Sequence, residues 1–127
     1  MIKVLFAILL MAVTTVVQAS SVLQIWSCTL NDGKTGADAT AVSEAWLKAA
    51  RSMKGGDQLK VFLDVPIAAE VGGDSFDFVL QAANLETWGV FNDGYADSPA
   101  QKADEDFSIV AECGGSSLWE SSELEVD

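Results

Sequence analysis

Two runs of alternating side chains constrain this chain more than anything else in it. From 59 to 67, Leu59, Val61, Leu63, Val65 and Ile67 alternate with Lys60, Phe62, Asp64 and Pro66. From 76 to 82, Phe76, Phe78 and Leu80 alternate with Asp77, Val79 and Gln81. A period of two is that of a pleated strand, whose successive side chains point to opposite faces. Val71-Gly72-Gly73-Asp74 between the runs is a turn signal, so they read as a hairpin with one apolar and one mixed face. Pro66 cannot donate to a ladder, which favours an edge position or a late break for the first run.

A helix precedes this hairpin and a helix in two pieces follows it. Asp38 or Thr40 caps the first, which runs to about Lys54 and closes at Gly55-Gly56. Its apolar positions Val42, Trp46, Ala49, Ala50 and Met53 recur at spacings of three and four and form one stripe, opposite Glu44, Lys48 and Arg51. After the hairpin, Asn84 caps a short helix with Leu85, Trp88 and Phe91, stopped near Asn92-Asp93-Gly94. Ser98-Pro99-Ala100-Gln101 opens a further helix, with proline at its first position and Gln101 placed to return a bond to the cap. Ala103, Phe107 and Val110 or Ala111 share its apolar stripe, and Gly114-Gly115 is its expected end. The β-forming run from 22 to 30, ending at Asn31-Asp32-Gly33, supplies a first strand. Residues 117–122 around Leu118 and Trp119 supply a short last one, and 123–127 read as a frayed acidic tail.

The order strand, helix, strand, strand, helix, strand is the ferredoxin-like split βαβ, an α+β fold with four antiparallel strands and helices on one face. In that topology the first and last strands are neighbours. Cys28 near the end of the first and Cys113 just ahead of the last then meet at one end of the sheet, a placement independent of the periodicity.

Residues 1–19 lie outside this fold. Lys3 is followed by an apolar stretch from Val4 to Val17, broken by Thr14 and Thr15, and Val17-Gln18-Ala19 precedes Ser20 as a signal peptidase site would. The stretch is shorter than the ~20 residues that span a bilayer, and Ser20 and Ser21 stand where a lipoprotein needs cysteine. The expected product is a single domain, 20–127, of an exported protein, periplasmic or secreted. In an oxidising compartment its two cysteines read as a disulfide, the alternative being two free thiols. Neither lies in a Cys-x-x-Cys pair, which speaks against a redox-active bridge. A loop of 85 residues closed in this way stabilises by at most about 4–5 kcal/mol in the chain-entropy model.

Charge and missing residue types narrow the function. Without Lys3 the seven basic residues become six against nineteen acidic ones, a formal charge of −13. Such a surface repels nucleic acid and anionic membranes, so neither is an expected partner after signal cleavage. There is no histidine, and with it go the usual general base, the usual activation of Ser or Cys and the commonest zinc ligand. No cofactor is implied. Asn92, Asp93 and Asp97, and the Asp104-Glu105-Asp106 run, carry oxygen ligands for calcium. The first lacks the EF-hand spacing, and the second lies on a helix whose consecutive residues point apart.

The run Trp26-Ser27-Cys28-Thr29-Leu30-Asn31-Asp32-Gly33-Lys34-Thr35, together with Trp46-Leu47, Leu85-Glu86-Thr87-Trp88, Glu112-Cys113 and Leu118-Trp119, resembles a group of small exported bacterial proteins of unknown function. More loosely, the domain resembles the dimeric α/β-barrel superfamily, which includes antibiotic-biosynthesis-monooxygenase-like proteins. That resemblance implies a homodimer packed through open sheet faces and a small-molecule pocket between sheet and helices. The Asn, Trp and His set of some superfamily oxygenases is incomplete here: Trp88 fits the helical Trp, but there is no His and no matching strand-one Asn.

Candidate pocket residues are Trp26, Trp46, Trp88, Phe91 and Tyr95, which core packing would equally explain. Candidate dimer-face residues are Lys60, Phe62, Asp64, Asp77, Val79 and Gln81. Asp64 and Asp77 would also serve as an acid–base pair, although Lys60 on the same face favours a charge network. The expected function is a non-enzymatic, homodimeric module for a small apolar ligand or a partner protein. The alternative is a cofactor-free, monooxygenase-like enzyme acting on a small aromatic molecule.

Overall fold

Each turn of this chain carries its own chemical instruction, and together they set the register of the sheet. The computed structural model describes residues 20–126; residues 1–19, where the signal peptide is expected, and Asp127 lie outside the described residues. The elements are β1 (Ser20–Leu30), α1 (Gly36–Arg51), β2 (Lys60–Asp64), β3 (Ser75–Ala82), α2 (Leu85–Asp93), α3 (Pro99–Val110) and β4 (Ala111–Ser122). The four strands form one sheet in the order β2-β3-β1-β4, and every neighbouring pair is antiparallel. This is the ferredoxin-like arrangement, with β2 and β4 at the edges. β2 stops at Asp64, two residues before Pro66 and short of the expected Ile67.

Capping residues start each helix. For α1 the cap is Thr35, upstream of the expected Asp38 or Thr40. Thr35 Oγ1 accepts from the Asp38 N–H, and the Asp38 carboxylate accepts from the Thr35 N–H at 2.8 Å. Asp38 is thus the third residue of a capping box, which satisfies two orphan donors at once. These bonds hold its carboxyl below the usual range, the Thr35 side chain contributing most. Asn84 caps α2 by accepting from the Thr87 N–H at 2.8 Å, and Ser98 caps α3 by accepting from the Gln101 N–H at 3.1 Å. The Gln101 side chain returns its bond one residue earlier than expected, to the Asp97 N–H.

At the end of α1 two glycines are required by space. A Cβ on Gly55, which has φ +78°, would come within 2.9 Å of the Phe91 backbone nitrogen, and one on Gly56 would strike the Ala50 carbonyl. The chain therefore turns tightly beneath α2 before entering β2.

The largest correction concerns β4. It is twelve residues long and begins where α3 stops, so Gly114-Gly115 does not end the helix. Pairing with β1 over its whole length carries the strand through the glycines as a bulge, with the register shift at Trp26/Ser27 and Gly115 at φ +52°. Cys113 lies inside this strand, directly opposite Cys28, and the two are joined at a Cα–Cα distance of 4.0 Å. Beyond Ser122, residues 123–126 have no regular structure.

The core fills the helix-covered side of the sheet. Phe76, Phe78, Leu80 and Ala82 of β3 and Val22 and Cys28 of β1 pack against Trp46 and Ala50 of α1, Phe91 of α2 and Phe107 and Val110 of α3. On α1 the buried positions are Ala39, Ser43, Trp46 and Ala50, so the stripe is rotated slightly from the one expected. Ser43 Oγ is buried and has no hydrogen-bond partner among the described residues.

Candidate functional site: an aromatic cavity on one face and an apolar stripe on the other

Where the helices arch over the sheet they leave a cavity of about 610 Å³. Its aromatic wall comes from every layer: Trp26 from β1, Phe78 from β3, Trp46 from α1, Phe91 from α2, Phe107 from α3 and Tyr95 from the loop after α2. The rings hold one another edge to face. Phe78 is the hub, with centroids 5.4 Å from Trp46, 5.4 Å from Phe107 and 5.8 Å from Trp26. Phe91 continues the chain to Trp46 and Tyr95, at 6.0 Å each. Such contacts pair the positive edge of one ring with the negative face of the next and fix ring orientation.

Polar groups converge at one side of this wall. Trp46 Nε1 donates to the Tyr95 hydroxyl at 3.4 Å, and that hydroxyl is hydrogen-bonded to the Asp104 carboxylate. Tyr95 is half-buried, whereas Asp104, on α3, stands at the rim and is exposed as a residue. Burial pushes the Tyr95 phenol above its usual value; the Trp46 N–H opposes this and the neighbouring Asp104 charge adds to it. Desolvation likewise raises Asp104, partly offset by the bond from Tyr95. The phenol therefore stays a neutral donor throughout the neutral range, with a carboxylate behind it. Gln24 and Asn31 also line the cavity. Asn31 Nδ2 donates to the carbonyls of Ser108 and Ile109 at 3.0 Å each, and its N–H donates to that of Val110 at 2.9 Å. These bonds tie the C-terminal turn of α3, and with it the cavity rim, to the end of β1.

Of the sequence-derived pocket residues, Trp26, Trp46, Phe91 and Tyr95 line one cavity. Trp88 does not. Its Nε1 donates to Gln24 Oε1 at 2.9 Å, so it orients a side chain that does line the cavity. The sequence pattern marks Phe78 and Phe107 only as apolar strand and helix positions, and Asp104 only as an oxygen ligand for calcium. What unites them is the crossing of α3 over β3, which no local spacing encodes. Among the described residues, no three Cys, Asp or Glu side chains gather as a metal site, and the 92–97 and 104–106 segments belong to no such group.

The other face of the sheet carries a second constellation. The six residues expected there pair directly across β2 and β3, as Lys60 with Gln81, Phe62 with Val79 and Asp64 with Asp77. Directly opposed residues share a face, so Val79 brings in Ile25 of β1, Gln81 brings in Leu23, and Leu23 brings in Trp119 of β4. Phe62, Val79 and Ile25 thus form an apolar stripe across three strands, with Leu23 and Trp119 beside it. No helix of the described residues covers it. Phe62 is 45% and Trp119 58% exposed, while Val79 is shielded by its neighbours.

No family model matches the chain, and no curated protein resembles it in sequence. Solved structures do share its fold. SnoaB, a cofactor-independent oxygenase from Streptomyces nogalater, is 8% identical with a TM-score of 0.56, and the match covers 84% of this chain and 97% of that one. A dimeric ferredoxin-like protein of unknown function from Thermobifida fusca is 14% identical with a TM-score of 0.50, over 84% and 93% of the two chains. At these identities the likeness is one of fold, the ferredoxin-like fold, and function has to be argued from the site.

Proposed function

We propose that this protein is an exported, disulfide-bonded, homodimeric binding module that holds a small, largely apolar molecule between its sheet and its helices. The observation that carries this reading is the aromatic cavity. Its volume falls within the ~300–1,000 Å³ of small-molecule sites, and an apolar wall with a few convergent polar groups is the usual composition of such sites. Export is supported by the signal-like segment 1–19 and by the Cys28–Cys113 bridge, which belongs to an oxidising compartment. Among the described residues no helix is long and apolar enough to cross a membrane.

A second copy of the chain is the natural cover for the stripe of Phe62, Val79 and Ile25, since a two-fold axis brings the same patch against itself. The charge of −13 per subunit opposes this pairing but is screened beyond ~8 Å at physiological salt. The dimer should therefore tighten as salt rises. Native mass spectrometry of protein purified from its own cell envelope tests the whole reading. A dimer mass with a co-purified small molecule is expected. A bare monomer in both low and high salt would refute it.

One observation favours a second reading, a cofactor-free oxygenase of small aromatic molecules. Asp104, with its raised proton affinity beside Tyr95, is placed to take a proton from a hydroxylated ring at the rim. Oxygen uptake with such a substrate, abolished by Asp104→Asn, would move the protein into that class.

A further inference from the structure

The cavity wall has a one-sided electrostatic composition. Among the described residues that line it, Asp104 supplies a carboxylate, none is a lysine or arginine, and the chain has no histidine; Glu112 also borders it, but its side chain lies with that of its partner Thr29 on the open face. Asp104 meets a neutral phenol rather than a cation. Six aromatic rings line the cavity beside Asp104, and a cation seated over the face of such a ring is attracted by the ring quadrupole, most strongly by Trp and when desolvated. Outside the cavity, the charge of −13 raises the local concentration of cations and lowers that of anions.

We infer that the ligand of this cavity is an organic cation, a substituted ammonium group carried on an apolar or aromatic body, with the rings of Trp26, Trp46 and Tyr95 around the ammonium and the Asp104 carboxylate as its counter-ion. The inference rests on the cavity being a ligand site and adds the ligand's charge. Each part of the site then has a task. Tyr95 fixes the carboxylate by donating to it, Trp46 fixes Tyr95 by donating in turn, and the apolar end at Phe78 and Phe107 accepts the body of the ligand. An anionic ligand of the same shape would meet a like charge at Asp104 and no donor cation. A neutral one would bind through its apolar area alone.

The test uses three probes of similar shape with the full mature dimer: benzyltrimethylammonium, its uncharged tert-butyl isostere neopentylbenzene, and phenylacetate. Calorimetry gives the affinities, and indole fluorescence reports occupancy next to Trp26 and Trp46. The cation should bind about tenfold more tightly than its neutral isostere, the size of one good cation–π and carboxylate contact, and phenylacetate should not bind. Asp104→Asn lies at an exposed helix position and should fold normally. It should cut the cation's advantage to within about threefold while leaving neopentylbenzene unchanged, and Glu112→Gln should have the smaller effect. Equal or tighter binding of the neutral isostere, or an advantage that survives Asp104→Asn, overturns the cation assignment while the cavity remains a ligand site. Failure of all three probes to bind removes the ligand site itself.

Discussion

The two faces of this sheet are built from the same strands and do opposite things. On the helix side, Phe76, Phe78, Leu80, Trp26 and Cys28 meet three helices, and the large rings pack around a space they leave open. On the other side the same strands present Phe62, Val79, Ile25 and Leu23 among Lys60, Asp64, Asp77 and Gln81, with no helix of the described residues above them. A period of two lets one strand serve both faces without compromise, because a substitution at Phe78 leaves Val79's surroundings untouched. Side chains of the strands are therefore sorted by parity: rings on one face, a mixed apolar and charged patch on the other.

Changes on the helix face should be the most costly. Phe78→Ala removes the ring that touches Trp46, Phe107 and Trp26, and chemical denaturation should show a loss of about 3–5 kcal/mol. Retention of full stability would mean that the aromatic wall holds the ligand without holding the fold. Next comes the bridge at the end of both faces. The double variant Cys28→Ala, Cys113→Ala should lose about 2–4 kcal/mol, since the closed loop spans 85 residues. The parent protein under reducing conditions should move toward the same midpoint.

A smaller effect of opposite sign is expected at Ser43. Its buried hydroxyl has no partner among the described residues, so Ser43→Ala should raise stability by about 1 kcal/mol in the same assay. A loss there would show that the hydroxyl is used.

The smallest effect is one of pH. Asp104 has its proton affinity raised by folding, so its contribution is fully present below its ordinary value of 3.8 and is lost as pH rises through its higher folded value. Asp38 runs the other way, contributing above its unfolded value and losing that contribution as pH falls through its lowered folded one. In acid titrations of stability, Asp104→Asn should remove the first slope and leave the second.

Much of the fold was legible in the chain, because its signals are local. Alternation at 59–67 and 76–82, Asn84 and Ser98 as caps, and Pro66 as a limit to β2 each act within a few residues. The course of β4 was not legible. Gly114-Gly115 carries the local signature of a helix end, and only its ladder with β1 turns that pair into a bulge. The Thr35 cap was missed because Asp38, its reciprocal partner in the box, is itself a good capping residue. On the site, aromatic identity pointed to four of the wall residues, but Asp104 lies in an acidic run with nothing local to distinguish it from Glu105 or Asp106. Leu23 and Ile25 escaped assignment to the open face because β1 carries apolar side chains on both of its faces, so its alternation is blurred.

The division of labour between the faces is tested most directly by one variant measured in two ways. Phe62→Asp places a charge in the centre of the apolar stripe and lies on the opposite side of the sheet from the cavity. Light scattering and benzyltrimethylammonium titration of this variant should show a monomer at micromolar concentration whose affinity for the cation stays within about twofold of the parent's. A dimer that persists, or a monomer that has lost its ligand, would contradict the assignment of partner to one face and ligand to the other.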